Sequence, residues 1–133
     1  MAIKTSTGSR NAKVDAHCAL LNGGTRELRT GSPPANPAAG ATGTLIATLV
    51  YSATAYGAAS GGTASSNAIA NATAVASGTV GYYRDKSSGG TAVCDGVVTA
   101  TGGGGDMTLD NPAIVSGQTI TTALGALTHT QPE

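Results

Sequence analysis

The sequence predicts an all-β fold, a jelly-roll-like β-sandwich with one short N-terminal helix. From residue 44 onward apolar residues recur with period two in short runs, and Gly, Pro, Asn and Asp separate those runs at sandwich-like spacing. Only the first 24 residues carry a helical period. A chain of 133 residues fits one domain, here an arm and short helix over 1–24 followed by a sandwich over 25–133.

The elements follow in order. Ser6, Thr7 and Ser9 offer N-cap oxygens, Val14, Cys18 and Leu21 share one face, and Gly23-Gly24 stops the helix, which predicts a helix over 10–21. Residues 25–30 read as an exposed strand. Residues 31–43 (GSPPANPAAGATG) read as a loop, because three prolines within five positions fix φ and remove ladder donors. Residues 44–51 (TLIATLVY) predict a central strand with Leu45, Ala47, Leu49 and Tyr51 on one face and Ile46, Thr48 and Val50 on the other. A weaker strand is expected over 63–71. Residues 78–84 and 91–98 read as a hairpin about a turn at 85–90, and strands over 107–109, 113–115 and 118–127 complete the set.

Composition makes this core thin. Of the 40% hydrophobic residues, 24 are Ala; Leu, Ile and Val number 21, and Phe and Trp are absent. Burial of each large side chain contributes about 1.5–3 kcal/mol, so stability is expected to come partly from self-association. Charged residues make up 11% of the chain, against about 25% in an ordinary soluble domain. Five of the seven basic residues lie in the first 29 positions, and 54 consecutive residues, 30–83, carry no charge. Such a neutral stretch suits a surface packed against other subunits.

Several function classes are disfavoured. Zero net charge argues against sequence-independent nucleic-acid binding. No run reaches about 18 apolar residues, and the N-terminus MAIKTSTGSR has no apolar signal core, so a chain made in the cytoplasm and not anchored in a membrane is expected. Cys18 and Cys94 are expected as free thiols. His17, Cys18, Cys94 and His129 supply ligand atoms without metal-site spacing, and neither a metal nor another cofactor is expected. Asp106 and Asp110 fit turn capping. The glycines at 102–105 lack the Lys-Ser or Lys-Thr of a phosphate loop, and no G-x-S-x-G elbow marks a nucleophile. The sequon at Asn71-Ala72-Thr73 would not meet the glycosylation machinery in that compartment. Arg84 and Asp85, at a strand end, read as solvated charges. No catalytic residue is assigned, and the chain is not expected to be an enzyme.

Two segments suit partner contact. Residues 1–10, with Lys4 and Arg10, resemble an arm that orders against a neighbour. The loop at 31–43, stiffened by Pro33, Pro34 and Pro37 and carrying Ala39, can lie on a neutral partner at modest ordering cost.

The order of short motifs also resembles a known family. An M-A-I-K-x-S-T-G-x-R-N opening over 1–11, Gly23-Gly24, the Pro-Ala segment 33–35, A-T-G-T-L over 41–45, an aromatic pair before Arg84, D-G-x-V over 95–98 and D-x-x-L over 106–109 resemble small head-associated proteins of tailed bacteriophages. Tyr82-Tyr83 stands where such proteins often have Trp-Phe, and Met107-Thr108 replaces a Leu-Asn pair. The resemblance implies a capsid cement, or decoration, protein: a jelly-roll sandwich outside the head that ties major capsid subunits together. A homodimer on the virion exterior is expected. The alternative is a tail or fibre module binding host-surface glycan, for which only Tyr51, Tyr56, Tyr82 and Tyr83 could stack on sugar.

Overall fold

The computed structural model describes residues 3–132. Among them lie one helix, α1 (Thr7–Ala19), and ten strands: β1 (Thr25–Thr30), β2 (Leu45–Val50), β3 (Thr63–Ser65), β4 (Ala72–Thr73), β5 (Gly78–Lys86), β6 (Ala92–Ala100), β7 (Met107–Leu109), β8 (Ala113–Ile114), β9 (Thr119–Ile120) and β10 (Thr128–Thr130). The protein is mostly β with one short helix and a curled sheet.

The helix starts three residues earlier than the apolar spacing predicts. Ser6, in extended conformation, caps it by accepting a hydrogen bond from the Ser9 N–H at 3.2 Å, so one oxygen satisfies an otherwise orphaned donor. Arg10 therefore belongs to α1 and not to an arm, and the extended lead-in within the described residues shortens to 3–6. Val14 and Cys18 are buried along one face, and Leu21 is buried just past the end. Gly23 takes a positive φ of 65°. A Cβ on Gly24 would collide with the Lys86 carbonyl, so the helix exit can pass close to the end of β5 only with glycine there.

The main sheet runs β2-β1-β5-β6-β7, with β8 also pairing with β5. Its pairs are antiparallel except β6 with β7, which is parallel from Val98 to Ala100. Two small ladders, β3–β10 and β4–β9, and isolated bridges Tyr56–Ser66 and Ser60–Thr63 add to the pairing. Several expectations are corrected. The strand at 25–30 is not exposed: β1 lies between β2 and β5, with Arg26, Glu27 and Leu28 buried. Conversely β2 is the outer strand of that path, its other edge covered locally where the Val75 N–H donates to the Ile46 carbonyl. The weaker strands at 63–71 and 118–127 shrink to β3 and β9, and β10 follows instead. β5 continues to Lys86, which tightens the hairpin turn to residues 87–91.

Register assigns the side chains to faces. Leu49, Arg26, Asp85 and Cys94 line up across β2, β1, β5 and β6, followed one pair along by Ala47, Leu28, Tyr83 and Gly96. This inner face packs against α1, since His17 reaches Cys94 and Val14, Cys18 and Leu21 join the same buried cluster as Leu28, Leu49 and Tyr51. The outer face carries Glu27, Arg84 and Asp95. A bulge between Leu28 and Arg29 skips Ile46, so Ile46 is fully buried while Leu45 is only half-buried; the strict alternation read from the sequence slips by one there.

Leu49, 1% exposed, lies on the inner face beside Arg26. Leu49→Ala should destabilise the fold by about 2–5 kcal/mol, read as a lowered urea midpoint with unchanged slope.

Candidate functional site

The inner face buries charge at its centre. Arg26 and Asp85 meet side on, Nε to Oδ1 and Nη2 to Oδ2, both at 2.7 Å, with 3% and 1% of their surfaces exposed. This overturns the solvated role expected for Asp85: its register opposite Arg26 places it mid-sheet under α1. The Tyr51 hydroxyl donates to Asp85 Oδ1 at 3.0 Å and the Cys94 thiol to Oδ2 at 3.5 Å, so the carboxylate is satisfied from several sides. The Arg26 guanidinium lies 3.7 Å from the centroid of the Tyr83 ring, a cation–π contact in a water-poor site. That ring in turn covers Gly96, where any Cβ would strike it. Burial works against the Arg26 charge, but the hydrogen bonds and charge of Asp85 outweigh it and hold the guanidinium protonated.

His17 and His129 stack beside this pair with centroids 4.0 Å apart and planes 11° apart. His17 comes from α1 and His129 from β10, and His17 Nε2 lies 3.7 Å from Cys94 Sγ. The fold thus gathers His17, Cys94 and His129, while Cys18 faces a separate small cleft with Asp15, Asn22 and Tyr56. A metal ion lies in the plane of each imidazole that binds it; two near-parallel rings cannot both point at one ion. Consistent with this, no group of three or more His, Cys, Asp or Glu among the described residues is arranged to hold a metal. Burial lowers the pKa of His17, with Arg26 adding to and Asp85 opposing the effect, and lowers that of His129, with His17 adding to it. Burial and then the Asp85 charge push the Cys94 thiol up to about 12, and burial raises Cys18 to about 11. Both cysteines are free and held as thiols at neutral pH, which opposes thiolate chemistry.

A cleft of about 370 Å³ opens beside the stack, lined by Tyr83, Cys94, Asp95, Asp106, Thr128, His129 and Thr130. Asp95 turns its carboxylate to Arg84 on the outer face, and Asp106 Oδ2 accepts from the Val97 N–H at 2.9 Å. Asp110 likewise accepts from Thr101 at 2.8 Å, so both aspartates tie the glycine-rich turn.

On the outer face, Arg84 grips Asp95 at 2.7 and 2.8 Å and donates a third bond, from Nη1 to the Ala39 carbonyl, at 2.8 Å. Arg84 is 3% exposed, again against the solvated reading, because the 31–43 loop folds over it. The Tyr82 hydroxyl donates to the Thr42 carbonyl at 2.7 Å and accepts from the Thr42 N–H at 2.9 Å, and Thr42 Oγ1 donates to the Ser32 carbonyl at 2.9 Å. Of the predicted contact residues, Ala39 is exposed and Pro33, Pro34 and Pro37 are half-buried on this pinned loop. Lys4 is exposed on the extended lead-in and Arg10 half-buried on α1, so the six lie on three different segments. The pinning residues Tyr82 and Arg84 were not anticipated; their signal was an aromatic and a charge two apart on a strand opposite Arg29 and Glu27.

Comparison with protein-family models, curated proteins and solved structures finds no match for this chain.

The buried pair makes a sharp prediction. Arg26→Met or Asp85→Leu alone leaves one charge buried and unpaired, so each should cost about 3–5 kcal/mol. The double variant should recover much of that loss in chemical denaturation, a coupling that a double-mutant cycle reads directly.

Proposed function

We propose that this chain is a capsid cement subunit of a tailed bacteriophage, a β-sandwich of jelly-roll type on the outside of the head that ties neighbouring major capsid proteins together. The observation that carries the reading is the 31–43 loop. It is long, uncharged and outward-facing, yet its backbone is held from beneath by Tyr82 and Arg84. A segment that only crosses between strands needs no such support, whereas a docking element gains affinity when its shape is set before it meets its partner. The motif order along the sequence points the same way. Each subunit would bury on the order of 1,000 Å² against its neighbours, and many copies on one lattice would add avidity to modest single contacts.

The inner site fits a structural role, since the Cys94 thiol stays protonated and the carboxylate beside it is engaged by Arg26. The glycan-binding alternative loses its main support. All four tyrosines are buried, and the face of Tyr83 is occupied by Arg26, so none offers an open ring to a sugar. Among the described residues no helix is long and apolar enough to cross a membrane.

Ala39 is exposed on the loop, so Ala39→Glu should leave the free subunit folded. At a neutral capsid contact the same carboxylate would be desolvated without a partner. The variant should be depleted from purified heads, and those heads should lose DNA more readily on heating; full occupancy with unchanged genome retention refutes the contact. Particles with normal heads but defective adsorption in the absence of the protein would favour the tail module.

The thin core and neutral surface also imply self-association, with a homodimer as the proposed state. The melting temperature should rise with protein concentration over a hundredfold range. A monomer by sedimentation with a constant melting temperature would refute the dimer.

A further inference from the structure

We propose that the stacked His17–His129 pair is an acid-sensitive latch: at neutral pH it holds the flap built from β3 and β10 against α1, and in mildly acidic solution it releases that flap while the main sheet stays folded. This goes beyond the cement reading and does not depend on it.

The flap packs on the core through buried Ala64 and Leu127, but no ladder joins it to the main sheet. β10 pairs with β3 alone, from Thr128 opposite Ser65 to Thr130 opposite Thr63, and the Thr63 and Thr130 hydroxyls meet at 2.9 Å. These bonds lie within the flap and do not tie it to the main sheet. Its attachments to α1 include two hydrogen bonds at 2.8 Å, from the Gly62 N–H to Asn11 and from the Ala59 N–H to Asp15, and the imidazole stack. A ladder of only three residue pairs depends on packing against a further layer, so a contact at that junction, such as the stack, bears on the state of the flap.

Protonation turns that contact from favourable to repulsive. Two neutral imidazoles stack well; two imidazolium ions with centroids 4.0 Å apart repel in a partly desolvated setting. The surrounding charges do not reverse this. Arg26 on β1 adds positive charge. Asp85 on β5 opposes it, but its oxygens already serve Arg26, Tyr51 and Cys94. Cys94 on β6 stays a thiol and Tyr83 on β5 a neutral phenol, its pKa raised by burial. Asp95 is held by Arg84, and Asp106 spends one oxygen on Val97. On α1 itself, Asp15 is bonded to Ala59 and Lys13 is a further cation.

The sign follows from linkage. Both histidines have pKa values below the ordinary imidazole value, so the closed form binds fewer protons than the open form around that value. Their contribution to closure is complete above about pH 6.5 and is lost as the pH falls below it through the closed-state values.

Amide hydrogen exchange at pH 7.5 and 5.0, corrected for intrinsic rates, tests the latch. Wild-type protein at pH 5.0 should lose protection about tenfold at flap amides in 63–65 and 128–130, with Leu28 and Tyr83 in the main sheet unchanged. The His17→Gln/His129→Gln double variant should lack this pH response. An unchanged wild-type flap, an equal loss across the main sheet, or the same response in the double variant overturns the proposal. If the double variant does not fold, NMR titration of the two wild-type imidazoles decides: midpoints below the ordinary value that move together with flap resonances support the latch, and midpoints at or above that value overturn it.

Discussion

The Arg26–Asp85 pair constrains everything around it. A carboxylate and a guanidinium almost fully removed from water persist as ions only if each is neutralised at close range and its remaining hydrogen-bonding capacity is met. The fold meets that condition from every layer. β1 supplies the arginine and β5 the aspartate, the chain after β2 brings the Tyr51 hydroxyl, β6 brings the Cys94 thiol, and Tyr83 covers the guanidinium with its ring. One-residue shifts in register would turn either charge to the opposite face. The pair therefore fixes which face of the sheet is inner, and with it the side on which α1 docks.

The outer face repeats the device with a different outcome. Arg84 and Asp95 also meet side on, but Arg84 keeps one donor for the backbone of a crossing loop. Glu27 bridges Lys86 at 2.6 Å and Arg29 at 2.8 Å, and these two cations outweigh its burial and hold its pKa below the ordinary carboxylate value. The helix and the turn after it serve the other side in kind: Asn11, Asp15 and Asn22 accept backbone N–H groups of Gly62, Ala59 and Ala55. Irregular chain between β2 and β3 is thus held by side chains where no ladder is available.

Much of the β content was legible, because period-two runs bounded by glycine and proline report local geometry. Leu49 and Tyr51 and the β5–β6 hairpin follow from such spacing, and Val14, Cys18 and Leu21 from the helical period. The outer or inner place of a strand in the sheet does not. β1 reads as exposed because Arg26, Glu27 and Arg29 are charged, and the cross-strand partners of Arg26 and Glu27 stand nearly sixty residues away. Half of all charged residues lie on β1, β5 and β6, with both signs present, in a chain otherwise almost devoid of charge. That concentration was visible, and it marks cross-strand pairing more than solvation. The gathering of His17, Cys94 and His129 had no such sign, since it depends on how α1 and β10 meet over the sheet. The short strands β4 and β10 escaped for the same reason, and β3 and β9 were expected as longer strands, because their extents are set by long-range contacts and not by propensity.

The 59-residue separation of Arg26 and Asp85 has a consequence for biosynthesis. During translation β1 can pair early only with β2, across the 31–43 loop, and must wait for β5 to emerge before its arginine finds an anion. Closing so long a loop is slow compared with local hairpins, so the ribosome-borne intermediate carries an unpaired sheet edge for seconds. The segment made during that wait is the neutral one, and it is built mainly from Ala, Gly, Ser and Thr with few large apolar residues. Its poverty in bulky side chains, which weakens the finished core, gives the nascent chain little to aggregate with.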